Sequence, residues 1–211
     1  MEEKNNSNKI ITITLAVIIC LAAAVIIYVN LPINEEETSD QGSSGDNTKN
    51  DSETILTIIY GDEQKNYSLK DLEENFSPVT GTGRYVKSKL LPDTIQITSD
   101  LSEAAWTFTG VAVSTLLDEF ENLPSNYNIS VISDDDRVTN YTKDNVTGIV
   151  NLYNETGIIG TSGAAMILAY KQDNEYISDD GPLRIVFVGS DVITLSNLWA
   201  KFVVSIVILD V

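Results

Sequence analysis

The sequence predicts a strand-rich α+β domain preceded by one transmembrane helix, and three observations lead there. Alternating β-branched and polar stretches recur between turn-forming residues over about 53–211. Helical spacing appears in only two or three short segments. A charge-free apolar run, Ile10 to Val29, stands ahead of them all, and its 20 residues in a helix would span about 30 Å of hydrocarbon. With 211 residues and 43% hydrophobic content, the chain can bury one sizeable core but hardly two once that run is subtracted.

The elements of the domain follow in order. "TILTIIYGDEQKNYSLKDLEEN" begins as a strand, turns at Gly61-Asp62 and resumes at Lys65-Asn66-Tyr67, a hairpin pattern. Ser68 with Asp71 three residues on predicts a capped short helix through Leu72. Thr80-Gly81-Thr82-Gly83 predicts a break before "RYVKSKLL", and Thr94 to Thr98 is again strand-like. Trp106 to Thr109 predicts a strand or turn, followed by a helix from Ser114 to Glu121 with Leu116, Leu117 and Phe120 on one face. "YNISVISDDDRVTNYT" predicts two strands around a turn at Asp134-Asp135-Asp136. "GAAMILAYKQDNEY" is a buried run turning near Asp173-Asn174, Leu183 to Val188 is a strand, and "LWAKFVVSIVILDV" is another.

The segments ahead of the domain set its expected location. Lys4 and Lys9 precede the apolar run, whereas Glu35-Glu36-Glu37 and Asp40 follow it, so residues 1–9 are expected inside and the remainder outside. Residues 10–29 then form an uncleaved anchor, with a cleaved signal peptide ending near Ala22-Ala23-Ala24 as the alternative. Cys20 follows bulky Ile18-Ile19 rather than a small residue and does not fit a lipoprotein cysteine. Residues 30–52 are acidic and rich in Ser, Gly and Asn, a disordered tether carrying an extracellular domain at 53–211.

Charge and composition exclude whole classes of function. The net charge of −18 repels nucleic-acid backbones, so nucleic acid is not an expected partner. With no His and one Cys, neither the common zinc ligand sets nor Ser-His-Asp or Cys-His catalytic units can be assembled. Several candidate sites remain. Asp134, Asp135 and Asp136, with Asp144 nearby, offer hard oxygen ligands, but lack the alternating acids, Gly and closing Glu of an EF-hand loop and fit a solvated turn. Arg84, Lys87 and Lys89 form a basic cluster beside a glycine-bearing loop that could meet an anion or simply be exposed. Arg184 and Lys201 fall on adjacent predicted strands, where Asp179 or Asp180 could neutralise them, while Trp106 and Trp199 fit packing roles. Asn-X-Ser/Thr sequons at Asn66, Asn75, Asn128, Asn140, Asn145 and Asn154 suit an outside location.

Taken in order, "YSLKDL", "WTFTGVAVSTLL", "ISVISDDD", "MILAYKQDNEYISDDGPLRIVFVG" and "LWAKFVVSIVIL" resemble the oxidoreductase molybdopterin-binding domain of the sulfite-oxidase type, over about Tyr67 to Leu209. Gly181-Pro182-Leu183-Arg184 and Gly110-Val111 with Leu116-Leu117 are the sharpest pieces. The resemblance implies a mixed α+β fold whose enzymatic members hold a molybdenum–pterin cofactor through a Cys thiolate and through basic residues around the pterin phosphate. Two departures stand against that chemistry. The stretch aligned with the ligand, Gly83 to Leu90, reads "GRYVKSKL" without Cys, and Gly189 to Ala200 contains no Lys or Arg. From position 51 on, 24 acidic residues face 10 basic ones, so holding an anionic cofactor would require a local reversal of the field. The expectation is a non-catalytic binding or interaction module for a small ligand or an envelope protein, without a cofactor. An atypical pterin-dependent oxidoreductase and a structural envelope protein are the alternatives.

Overall fold

The computed structural model describes residues 53–90, 95–97, 105–155, 157–161, 163–190 and 192–211. The predicted tail, anchor and tether at 1–52 lie outside the described residues. Among those described, no helix is long and apolar enough to cross a membrane.

In chain order the strands are β1 (Leu56–Tyr60), β2 (Glu63–Tyr67), β3 (Val79–Val86), β4 (Ser88–Leu90), β5 (Ile95–Ile97), β6 (Trp106–Ala112), β7 (Tyr127–Ser133) and β8 (Val138–Thr142). They continue with β9 (Leu152–Asn154), β10 (Gly157–Gly160), β11 (Ala165–Gln172), β12 (Glu175–Tyr176), β13 (Arg184–Val188), β14 (Val192–Leu195) and β15 (Val203–Asp210). Three short helices interrupt them, α1 (Leu69–Glu74), α2 (Val113–Leu117) and α3 (Lys143–Val146), and a 3-10 turn at Ser196–Leu198 follows β14. The class is therefore strand-rich α+β, as the residue pattern predicts.

Two sheets organise the chain. The first has the order β2-β1-β15-β7-β8, with β1 and β15 parallel and the other pairs antiparallel. Strand β7 buries every second residue, Tyr127, Ile129, Val131 and Ser133, which is the period of a sheet with one face on the core. The second sheet runs β12-β11-β6-β3-β14, with β13 also paired to β11. It curls until Thr82 of β3 and Gly189 beyond β13 exchange backbone hydrogen bonds of 3.1 and 2.9 Å. Ile58 and Ile206 of the first sheet, Phe108 and Phe187 of the second, and Leu72 and Leu116 of the helices share one buried core.

The curl explains the first departure from expectation. Thr80-Gly81-Thr82-Gly83 does not break the chain but lies inside β3, because a Cβ on Gly83 would stand 2.2 Å from the carbonyl oxygen of Phe187. Only glycine lets the two backbones come this close. The second departure is α2, which ends at Leu117 rather than Glu121. Asp118, Glu119 and Glu121 would place negative charge at the negative end of a longer helix, which disfavours its continuation. Phe120 still reaches the core through a tighter turn in which its N–H donates to the Leu117 carbonyl at 3.0 Å.

The helix caps follow the sequence closely. Ser68 and Asp71 form a reciprocal capping box on α1, and Thr142 and Asn145 form a second on α3. At Asp173 and Asn174 two consecutive residues have φ of 52° and 69°, the backbone of a tight two-residue hairpin turn between β11 and β12.

Candidate functional site

The stretch leading into β13 brings a buried cation, Arg184, together with its counter-ion. Gly181 has φ of +77°, and a Cβ there would lie 2.7 Å from Cα of Phe202, so the chain can pass this point only as glycine. The resulting approach lets Phe202 N–H donate to the Asp180 carbonyl at 2.8 Å and Val203 N–H to the Leu183 carbonyl at 3.0 Å. Asp180 is thereby brought beside both Arg184 and Lys201.

Arg184 opens β13 and is only 4% exposed. Its Nη1 donates to Asp180 Oδ2 at 2.8 Å and to Gln172 Oε1 at 3.1 Å, while Lys201 Nζ donates to Asp180 Oδ1 at 2.6 Å. The partner is Asp180, one of the two acids the sequence offered. The guanidinium also lies over the rings of Phe108 and Trp199, at 5.4 and 5.6 Å from their centroids. Burial pushes the Arg184 guanidinium below its ordinary pKa, against the pull of Asp180 and then Tyr85. Its Nε is buried without a hydrogen-bond partner.

Aromatic rings fill the space next to this node. Tyr85 packs on Trp199 at 5.2 Å and on Trp106 at 5.7 Å, and Phe108 meets Trp199 edge-on at 5.5 Å. The indole Nε1 of Trp199 donates to Thr194 Oγ1 at 2.7 Å inside the core. Trp199 is buried and Trp106 packs partly buried against the same core, in agreement with their expected packing roles.

The basic cluster has a different setting from the expected glycine loop. Arg84 sits within β3, in register with Ile193 of β14, Lys87 is exposed directly after β3, and Lys89 belongs to β4. Strand alternation places Arg84 and the aromatic Tyr85 on opposite faces of the sheet. Arg84, Lys87 and Arg184 are not among the described residues that line the cleft described below.

Asp134, Asp135 and Asp136 are all exposed on the tight turn between β7 and β8, where Asp136 has φ of 61°. Arg137 pairs with Asp135 at 3.6 Å, and its N–H also donates to Asp135 Oδ1 at 3.3 Å. Asp144 lies apart on α3, and among the described residues no three carboxylate, thiol or imidazole groups converge on a common point. Of the sequon asparagines, Asn66, Asn75 and Asn140 are exposed, and Asn128, Asn145 and Asn154 are half-buried. Asn66 and Asn140 already accept hydrogen bonds across their strands, from Thr57 at 3.0 Å and Ser130 at 2.7 Å.

Sequence reasoning did not find the concave part of the surface. A cleft of about 340 Å³ opens between α3, β9 and the 3-10 turn after β14. Asn145, Asn151, Asn197 and Thr161 provide its polar wall, and Ile149 and Leu195 part of its apolar lining. The residues come from two stretches, 145–161 and 195–198, that are more than 30 positions apart in the chain and meet only in the fold. The one local signal was Thr142 followed three residues later by Asn145, the cap that orients α3.

As for the cofactor implied by the sequence resemblance, the residues present supply no thiolate, since Cys20 is the only cysteine of the chain. They place no Lys or Arg between Gly189 and Ala200. The buried Arg184 is already engaged by Asp180 and Gln172. This donor set does not match a molybdenum–pterin group.

No protein-family model and no curated protein matches the chain. Among solved structures, the sulfane dehydrogenase SoxCD from Paracoccus pantotrophus is similar, at 18% identity and a TM-score of 0.49. The match covers 74% of this chain and 38% of that one, so the present chain spans well under half of that protein's length.

Proposed function

We propose that this chain is a membrane-tethered extracellular module on the molybdopterin-oxidoreductase type of fold, and that it works by binding a ligand or partner rather than by redox chemistry. The ordered sequence resemblance supports the choice of fold type. The apolar run at 10–29 and the charges flanking it support the tethered, outward arrangement. The observation that carries the non-catalytic part is the Arg184 node: its Nη1 donates to Asp180 and Gln172, its guanidinium packs over Phe108 and Trp199, and the described residues include no cysteine. With Nη1 committed to Asp180 and Gln172 and no basic residue from Gly189 to Ala200, this node does not build the multi-donor site that an anionic cofactor needs.

Metal analysis of the full chain, purified from cells that make molybdenum cofactor, tests this reading. The expected content is far below one molybdenum or tungsten per chain. Either metal at stoichiometry would overturn the non-catalytic reading in favour of an oxidoreductase with an atypical ligand.

A further inference from the structure

We propose that the cleft between α3, β9 and the 3-10 turn is a binding site for a neutral saccharide; this deepens the binding-module reading and rests on it. The first argument is electrostatic. In a chain in which 21% of residues are charged and the net charge is −18, none of the described residues lining this cleft carries a charged side chain. An anion would meet no base there and would enter against the field of the whole protein. A cation would meet no carboxylate among the described lining residues. The ligand that suits such a surface is uncharged.

The second argument is hydrogen-bonding capacity. Asn151 and Asn197 are exposed at the cleft, and each amide offers donors and an acceptor side by side. Vicinal hydroxyls of a pyranose likewise donate and accept from adjacent atoms, so amides can engage them in pairs. Thr161 adds a hydroxyl on the same wall. The apolar part of the lining completes the match, because a sugar ring presents a C–H face as well as polar edges. Ile149, which contributes to that part, is 48% exposed, a large aliphatic side chain left uncovered at a concave surface.

Both sides of the cleft are held in place before any ligand arrives. On one side Ile149 N–H donates to the Asp144 carbonyl at 2.8 Å, and Val146 and Val150 anchor the flanking backbone in the core. On the other, the buried phenol of Tyr141 donates to the Leu198 carbonyl at 3.1 Å. Pre-organisation of this kind lowers the entropy lost on binding. The volume of about 340 Å³ is at the lower end of ligand-sized clefts, roughly 300–1,000 Å³, which favours one or two sugar rings over a longer chain.

The experiment measures binding of cellobiose to the full chain in detergent micelles by calorimetry. Cellobiouronic acid serves as the anionic analogue, and N-acetyl-trialanine amide as a neutral peptide. Cellobiose is expected to bind and the uronic acid to bind more weakly. Asn151→Ala and Asn197→Ala should each weaken cellobiose by about 2- to 10-fold, the equivalent of one lost hydrogen bond, with unchanged thermal unfolding. Ile149→Ser should weaken it as well. Asn145 is left unaltered because it caps α3. Undetectable cellobiose binding, affinities unaffected by these substitutions, or preference for the peptide or the uronic acid would overturn the assignment. A metal-free chain that ignores cellobiose refutes this site alone, whereas stoichiometric molybdenum refutes the module reading whatever the sugar result.

Discussion

Replacing Asp180 with Ala removes the one carboxylate bonded to the buried Arg184 guanidinium among the described residues and should destabilise the domain far more than a surface change. Loss of one partner of a buried pair typically costs about 3–5 kcal/mol. Arg184 has a side chain 5% exposed and meets that condition, but Asp180 is 25% exposed, so water already weakens the pairing. Gln172 also keeps its bond to Nη1 at 3.1 Å. We therefore expect about 2–3 kcal/mol for Arg184, and at most about 1 kcal/mol more for Lys201, whose side chain is 41% exposed. At about 2–4 °C per kcal/mol for a domain of this size, the midpoint should fall by about 5–15 °C. Urea unfolding followed by tryptophan fluorescence reports the change cleanly, because both tryptophans, Trp106 and Trp199, lie in the folded part and Trp199 touches the node. Adding Arg184→Met should restore much of the loss, since an apolar side chain of similar length needs no counter-ion between Phe108 and Trp199. A loss below about 1 kcal/mol for Asp180→Ala, or a double variant as unstable as the single one, would refute the reasoning.

Two further outcomes are expected from the same structure. Gly83→Ala should cost about 3 kcal/mol or more, because its Cβ would meet the Phe187 carbonyl oxygen at 2.2 Å, whereas Gly160→Ala, with nothing within 4 Å, should cost under about 1 kcal/mol; equal urea midpoints would refute the account of the curled sheet. Burial, with Glu119, Glu63 and Asp71 nearby, pushes the Tyr67 phenol up to about 12, so it stays neutral in the fold while an unfolded Tyr ionises near 10. Its contribution is complete below pH 10 and lost as the pH rises towards 12, and Tyr67→Phe should flatten this alkaline decline, which urea midpoints between pH 9 and 11.5 would show.

Local chemistry made part of this fold legible. The Gly61-Asp62 turn, the Ser68–Asp71 box and the alternation from Tyr127 to Ser133 each depend on residues a few positions apart, and each forms as the spacing predicts. The misreadings share a different cause. Gly81 and Gly83 looked like a break because the backbone that requires them, Phe187 to Gly189, lies about 100 positions on. Strands β9, β10 and β14 carry too few residues to show a period of their own. The Arg184 node was half-legible: the sequence offered Asp179 and Asp180, but only the turn at Gly181 decides which carboxylate faces inward. Apart from the Thr142–Asn145 spacing, the sequence does not point to the cleft, because the described side chains of its wall carry no charge and no strong signature.

The order β2-β1-β15-β7-β8 places the latest of these five strands at the centre of its sheet. Until residues 203–210 arrive, the hairpin β1–β2 and the hairpin β7–β8 have no shared neighbour, and Ile58 and Val131 each lack the Ile206 that lies between them. The first sheet is thus a lock whose bolt is fitted last. Early elements can form turns and caps, but they cannot complete a common layer, and pairings this distant in sequence are slow to find. A chain on this plan completes the layer only through contacts of long sequence separation, and without β15 each of the two strand pairs would keep an unpaired edge.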